Sequence, residues 1–226
     1  MFNRTINLIG ESKYQKLKNS NILVLGVGGV GGYAIESLIR SGIENITIVD
    51  FDKIDISNIN RQIIALNSNI GNNKTDEWKK RILEINPNVK VNIINEKINS
   101  NSIDMLFNNK YDFIIDACDT VIVKKLLIKK CKEKNIGLIT VCGMGKKLNP
   151  TLVKICDIKD TSYDPLAKSI RKYVKDENIK GNVPCIFSEE KPIINKDNKI
   201  VSSMMMVPST AGILAAYYCI DKIINS

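Results

Sequence analysis

Short apolar runs alternate with segments of helical spacing along most of this chain. Residues 21–26 (NILVLG) and 45–50 (NITIVD) are apolar runs of strand length, and between them residues 30–41 place Ala34, Leu38 and Ile39 on one helical face. Strand, glycine turn, helix and strand within about thirty residues form a βαβ unit, which predicts parallel pairing. The alternation continues. Residues 74–86 carry Trp78, Ile82 and Ile85 on one stripe stopped by Pro87; residues 89–95 read as a strand and 102–107 as a short helix. Residues 111–117 (YDFIIDA) read as a buried strand, 121–135 as a Lys-rich helix and 138–142 as the next strand. Strands apolar nearly throughout, separated by amphipathic helices, predict an α/β fold: a Rossmann-like, doubly wound, mainly parallel sheet covered on both faces.

After Gly143 the pattern changes. Residues 151–157 still read as a strand, but 163–182 form a polar, basic helix-and-loop segment. The stretch 188–203 has no clear period and reads as a loop or short hairpin. Residues 208–224 close the chain as a strongly apolar helix with Pro208 near its first turn. With no internal repeat, low-complexity linker or clear boundary, residues 1–226 read as one domain, 1–145 being the Rossmann-like part and 146–226 an elaborated C-terminal half. A chain this long buries about 70% of its unfolded surface, so no disulfide or metal staple is required.

Composition narrows the function. Met1 is followed by Phe2-Asn3-Arg4, not by a basic cluster and an apolar run, and the apolar stretch 211–220 is about half of the ~20 residues a membrane span needs, so the chain reads as cytosolic, with no transmembrane segment. The six cysteines (118, 131, 142, 156, 185 and 219) include no C-x-x-C pair for zinc or redox chemistry. Histidine is absent, which excludes imidazole general bases, His-based triads and His-ligated metals. The net charge of +9 points to a polyanionic partner, although the Lys-, Ile- and Asn-rich composition supplies part of it.

Gly26-Val27-Gly28-Gly29-Val30-Gly31 is a G-x-G-x-x-G run placed after a strand and opening a helix. The first glycine permits the tight turn, the second lets backbone approach phosphate, and the third lets the helix pack on the strand. Free N–H groups at the helix start suit phosphate oxygens. Asp50 ends the next strand, suited to accept from ribose hydroxyls, so the site is expected to bind an adenine nucleotide. A dinucleotide would need little cationic help. Here Asp50-Phe51-Asp52 runs into Ser57-Asn58-Ile59-Asn60-Arg61-Gln62, and Lys74 follows. Three adjacent phosphates need neutralising, and Arg61 with Lys74 would do so. Asp116 and Asp119 sit at a strand's C-terminal end, where ligands bind in open α/β sheets and a carboxylate can hold magnesium through phosphates. The set favours a triphosphate.

G-x-G-G-x-G, D-F-D, N-x-N-R-Q, a Lys before a helix and D-x-x-D-T, in that order over residues 2–145, resemble the ThiF/MoeB/HesA superfamily of adenylating enzymes, relatives of ubiquitin-activating enzyme. The resemblance implies ATP as substrate with Mg2+ and a homodimer. It places the ribose contact on Asp50, phosphate contacts on Asn58, Arg61, Gln62 and Lys74, and the metal-associated carboxylate on Asp119. It also implies that Arg4, in Phe2-Asn3-Arg4, reaches the partner subunit's site, and it makes the apolar C-terminal helix one candidate for the interface.

Superfamily members that activate sulfur carriers usually bear two C-x-x-C pairs, absent here. The second half instead resembles the tRNA threonylcarbamoyladenosine dehydratases, through Asn149-Pro150-Thr151, Asp164-Pro165-Leu166-Ala167, Cys185-Ile186-Phe187-Ser188-Glu189-Glu190 and Val207-Pro208-Ser209. That implies ATP-dependent cyclisation of threonylcarbamoyladenosine in tRNA through an acyl-adenylate. Lys168, Arg171, Lys172 and Lys175, on one helical face, are then expected to contact tRNA phosphates. Cys185, inside a family-like motif, reads either as a group on the substrate side or as a packed small hydrophobe. A sulfurtransferase partner and a monovalent cation ordering the C-terminal loops stay open. The rival readings are an adenylyltransferase for a ubiquitin-like sulfur carrier, an NAD-dependent oxidoreductase, and a non-catalytic nucleotide- or tRNA-binding module.

Overall fold

The computed structural model describes residues 1–193 and 201–226. Seven strands form one sheet in the order β3-β2-β1-β4-β5-β7-β6. These are β1 (Asn21–Leu25), β2 (Asn45–Val49), β3 (Lys90–Ile94), β4 (Phe113–Asp116), β5 (Gly137–Val141), β6 (Val153–Asp157) and β7 (Pro184–Ser188). Every pairing is parallel except β6 against β7. The helices are α1 (Asn3–Ile9), α2 (Glu11–Asn19), α3 (Gly31–Ser41), α4 (Lys74–Ile85), α5 (Val121–Lys134), α6 (Pro165–Asp176) and α7 (Met206–Ile224).

Strand alternation explains the two covered faces. On β1, Ile22 and Val24 point into a core shared with α3, Trp78 and Ile82 of α4, and α7. Leu23 and Leu25 point the other way, against Val123, Leu127 and Cys131 of α5. Leucine, isoleucine and valine at successive positions thus serve both layers, which is why the central strands carry no polar alternation. Beyond α5, α6 closes a smaller cluster with Cys142, Cys185 and Phe187.

Four elements depart from the reading of the sequence. Helices α1 and α2 precede β1, broken apart at Gly10 (φ 84°), with Tyr14 and Leu17 as the buried anchors of α2. The stretch read as helix at 102–107 is a 3-10 segment, Ile103–Phe107. Strand β7 was not expected. It begins at a proline, a position a strand tolerates because no ladder donor is needed there, and Cys185 through Ser188 are all buried between β5 and β6. Of the stretch 188–203 read as loop or short hairpin, only Ser188 belongs to β7; residues 189–193 and 201–203 carry no helix or strand, and residues 194–200 lie outside the described residues.

β1 is the strand at which the winding reverses, with β2 on one side and β4 on the other. In open α/β sheets the crevice outside the carboxyl ends at such a reversal is the expected ligand position.

Candidate active site

The reversal crevice is a cavity of about 530 Å³, and Gly26, Gly28, Gly29, Asp50, Asp52, Asn58, Arg61, Gln62, Lys74 and Asp119 all line it. A larger cavity, about 810 Å³, opens at the opposite edge beside Phe113, Gly137 and Pro184, where β4, β5 and β7 begin, and none of the expected site residues line it.

The glycines divide their work. Gly26 sits at φ 83°, where a side chain would meet the Ala117 carbonyl at 2.8 Å. A Cβ on Gly31 would fall 1.8 Å from the Gly26 carbonyl oxygen, so Gly31 serves backbone packing and lies behind the cavity wall. At Gly28 a Cβ would meet only the Gln62 Nε2, at 3.5 Å, which leaves that stretch of backbone open to a ligand. Two groups hold the loop from outside. Asp50 Oδ2 accepts from the Val27 N–H at 2.8 Å, and the buried Trp78 Nε1–H donates to the Val27 carbonyl at 3.2 Å. Asp50 Oδ1 also accepts from the Asp52 N–H at 2.9 Å. One backbone donor per oxygen leaves further lone pairs for ribose hydroxyls.

The polar wall is built by local capping. Asp55 Oδ1 accepts from the Ser57 N–H at 2.8 Å, and Asn58 Oδ1 accepts from the Asp55 N–H at 3.2 Å, closing a capping box around the 3-10 turn Ile56–Asn58. Arg61 follows this turn. Its NH1 donates to the Ser57 carbonyl at 2.8 Å and to Asn60 Oδ1 at 3.0 Å, and its Cγ stands 3.4 Å from where a Gly29 Cβ would be. Gln62 lines the cavity and is buried, with its Oε1 unpartnered among the described residues. Lys74, first residue of α4, is buried and pairs with Asp52 Oδ2 at 2.8 Å.

The two aspartates after β4 separate. Asp116 is fully buried and pairs with Lys124 Nζ at 3.1 Å. It also accepts from Thr140 Oγ1 at 2.6 Å and from the Cys118 thiol at 3.1 Å. It is a structural carboxylate, not a ligand of the cavity. Asp119 is exposed, and among the described residues its carboxylate accepts only from the Thr120 hydroxyl, at 3.5 Å. One free carboxylate facing a phosphate pocket suits magnesium, which is usually held by one or two carboxylates plus phosphate oxygens and water. No cluster of three His, Cys, Asp or Glu residues forms a metal cage among the described residues.

Neither Cys118 nor Cys185 is primed as a nucleophile by its surroundings. Burial, reinforced by the Asp116 charge, pushes the Cys118 thiol well above its usual range. Cys185 is fully buried, and donation to Cys142 and Cys156, together with burial, keeps its thiol protonated. Cys142, not Cys185, reaches the cavity wall. The C-terminal half supplies the remaining wall through Gly143, Leu166, Ser203 and Pro208. Asn60 Nδ2 donates to the Ser203 carbonyl at 2.8 Å, tying that wall to the Arg61 turn.

The ThiF family model matches residues 2–224. The chain belongs to the ThiF family. It is 40% identical to the tRNA threonylcarbamoyladenosine dehydratase of Bacillus subtilis, across 94% of this chain and 90% of that protein. Identity to the Escherichia coli enzyme of the same name is 35%, across 90% of this chain and 78% of that protein. The crystal structure of E. coli tRNA N6-threonylcarbamoyladenosine dehydratase in complex with ATP superposes with a TM-score of 0.93 at 33% identity, covering 99% of this chain and 93% of that one. E. coli MccB, at 23% identity and a TM-score of 0.66, shares the fold.

Two groups were expected to act beyond this chain's own cavity, Arg4 in a partner subunit's site and the basic face of α6 on tRNA. Arg4 is exposed on α1 and does not line the cavity. On α6, Lys168, Lys172 and Lys175 are exposed, but Arg171 turns inward and donates to the Thr161 carbonyl at 2.7 Å and to the Thr161 hydroxyl. Its spacing placed it among the lysines; the buried end of the preceding turn captures it. Trp78 and the Asp116–Lys124 pair were missed as supports of the site. Lys124 did leave a signal, since it shares the α5 face of Leu127, Ile128 and Cys131, where an exposed lysine would not stand.

Proposed function

We propose that this ThiF-family chain catalyses ATP-dependent dehydration of threonylcarbamoyladenosine in tRNA through an acyl-adenylate. The observation that carries the reading is one pocket holding Arg61, Lys74 and Asp119 beside a glycine loop, in a chain similar end to end to dehydratases of that name. The threonyl carboxylate is a poor electrophile. Its oxygen attacks the α-phosphorus of ATP, pyrophosphate leaves, and a mixed anhydride forms. The urea oxygen of the same nucleoside then attacks the acyl carbon, closes a five-membered ring and expels AMP. An intramolecular nucleophile can act with an effective molarity on the order of 10⁵ M or more, so a chain without histidine suffices and no obligatory covalent cysteine is required.

The residues divide the task by charge. Gly28 and the start of α3 offer N–H groups to phosphate oxygens, and Asp50 receives ribose hydroxyls. Lys74 and Arg61 stabilise the negative charge that accumulates as pyrophosphate departs. Bound at Asp119, Mg2+ would neutralise phosphate charge and orient the leaving group. Arg4 is assigned to the cavity of a second copy, which makes a homodimer with a symmetric interface part of the reading. Lys168, Lys172 and Lys175 contact tRNA phosphates. A cytoplasmic location is kept as read from the N-terminus and apolar stretches of the sequence, and a sulfurtransferase partner and a monovalent cation stay open; no described helix is long and apolar enough to cross a membrane.

Mass spectrometry of tRNA nucleosides after incubation with the protein and ATP tests the reading. Loss of one water from threonylcarbamoyladenosine, with AMP and pyrophosphate formed, is expected. Adenylate formation stimulated by a ubiquitin-like carrier, and not by modified tRNA, would replace it with the sulfur-carrier reading.

A further inference from the structure

Cys156 and Cys185 stand directly opposite each other on the antiparallel strands β6 and β7, with sulfurs 3.7 Å apart. Facing residues of such a ladder have Cα atoms about 4.5–5.5 Å apart, inside the range a disulfide requires. Cys156 is half-exposed on the edge strand and Cys185 is fully buried, so a solvent-borne oxidant meets one sulfur while its partner waits behind it. We propose that this pair is an oxidation site, closed to a disulfide by peroxide-class oxidants and sensed at the catalytic cavity through Cys142.

The surroundings set the order of events. Donation from the Cys185 thiol, opposed by burial and aided by Lys154, holds Cys156 below the usual thiol range. Cys131 is pushed up to about 12 by burial, then by Asp116, and Cys219 is also raised by burial, so these thiols do not compete. The thiolate of Cys156 attacks one peroxide oxygen, the O–O bond breaks, and hydroxide leaves, giving a sulfenic acid. The Cys185 sulfur then attacks the Cys156 sulfur and the S–O bond breaks. The departing hydroxide takes the Cys185 proton and leaves as water, so two thiols lose two electrons and peroxide becomes two waters.

Bond formation draws the sulfurs from 3.7 Å to about 2.05 Å. β7 carries that movement into β5, since Thr140 pairs with Cys185, and the Cys142 N–H donates to the Ile186 carbonyl at 2.9 Å. Cys142 both packs in one cluster with Cys185 and lines the cavity.

The test treats the intact protein with hydrogen peroxide, blocks free thiols, and maps peptides by mass spectrometry while following ATP-to-AMP turnover. The expected product is one linked peptide pair, Cys156 to Cys185, lighter by two hydrogens and released by dithiothreitol, with turnover lowered severalfold and recovered on reduction. Cys185→Ser should trap the sulfenic acid on Cys156, captured by dimedone, and Cys156→Ser should keep its turnover under peroxide. Cys156 driven to sulfinic or sulfonic acid with Cys185 still free, or equal linkage among other cysteines, overturns the site. Complete linkage with unchanged turnover overturns the coupling. The peptide map does not depend on the substrate, so failure here is distinct from failure of the dehydratase reading.

Discussion

Asp119 and the glycines of the loop allow folding and chemistry to be separated residue by residue. Asp119→Asn removes a charge whose only bond among the described residues is the 3.5 Å contact with Thr120. Turnover should fall by about 10²–10³-fold, the usual cost of losing one electrostatic contact to a developing charge, while the melting temperature stays put; an undiminished rate would remove Asp119 from the site. Gly31→Ala drives a Cβ to within 1.8 Å of the Gly26 carbonyl and should fail to give a folded protein. Gly28→Ala meets only Gln62 at 3.5 Å, so it should fold normally and bind ATP more weakly, as calorimetry would show. Equal melting losses for the two would contradict the division. The cavity-lining residues were legible because Gly28 stands in the glycine run after a predicted strand, and Asn58, Arg61 and Gln62 stand together in one short motif. Asp116 was not, because its identity as an aspartate says nothing about Lys124 and Thr140, which reach it from α5 and β5.

Among the elements, α5 is held to the sheet by that buried pair. Burial alone would lower the Lys124 ammonium, but Asp116 outweighs it and keeps the pKa raised. Lys124→Met should destabilise by about 3–5 kcal/mol, since an unpaired buried carboxylate remains, whereas Lys124→Met combined with Asp116→Leu should recover most of the loss. Chemical denaturation of the three proteins reads the difference; a double variant no better than the single would contradict it. Helices α3 and α4 are clamped by Glu36, which accepts from Arg81 Nε at 2.7 Å and from Arg40 Nε at 2.7 Å. Burial opposes its ionisation, but the Arg81 and Arg40 bonds prevail and hold Glu36 below the usual carboxylate range. A carboxylate with a lowered folded pKa stabilises fully above its unfolded value near pH 4.5 and loses that contribution as pH falls through the folded one. Glu36→Gln should therefore cost about 1 kcal/mol at pH 7, discounted for the exposed Arg40, and the deficit should shrink below pH 4.5. A deficit constant across pH would show that charge is not its source.

Across the molecule, the parallel part of the sheet was readable because its central strands are apolar nearly throughout and amphipathic helices separate them. β7 was not, because five residues beginning with proline and followed by Glu189 and Glu190 look like the entry to a loop until β5 and β6 bury them. The same limit applies to α6, where spacing gave the exposed lysines but missed the capture of Arg171 by Thr161. If those lysines track tRNA phosphates, Lys172→Ala should reduce the slope of log affinity against log salt by about 0.7–0.9; an unchanged slope would free the helix of that role. The dehydratase reading presupposes that the cavity brings a carboxylate to the α-phosphate of ATP. Substrate tRNA labelled with ¹⁸O in the threonyl carboxylate measures this directly. On the proposed route the bridging oxygen leaves with the nucleotide, so ¹⁸O is predicted in the phosphate of AMP. Cyclised product formed with unlabelled AMP, or with label in pyrophosphate, would contradict the account.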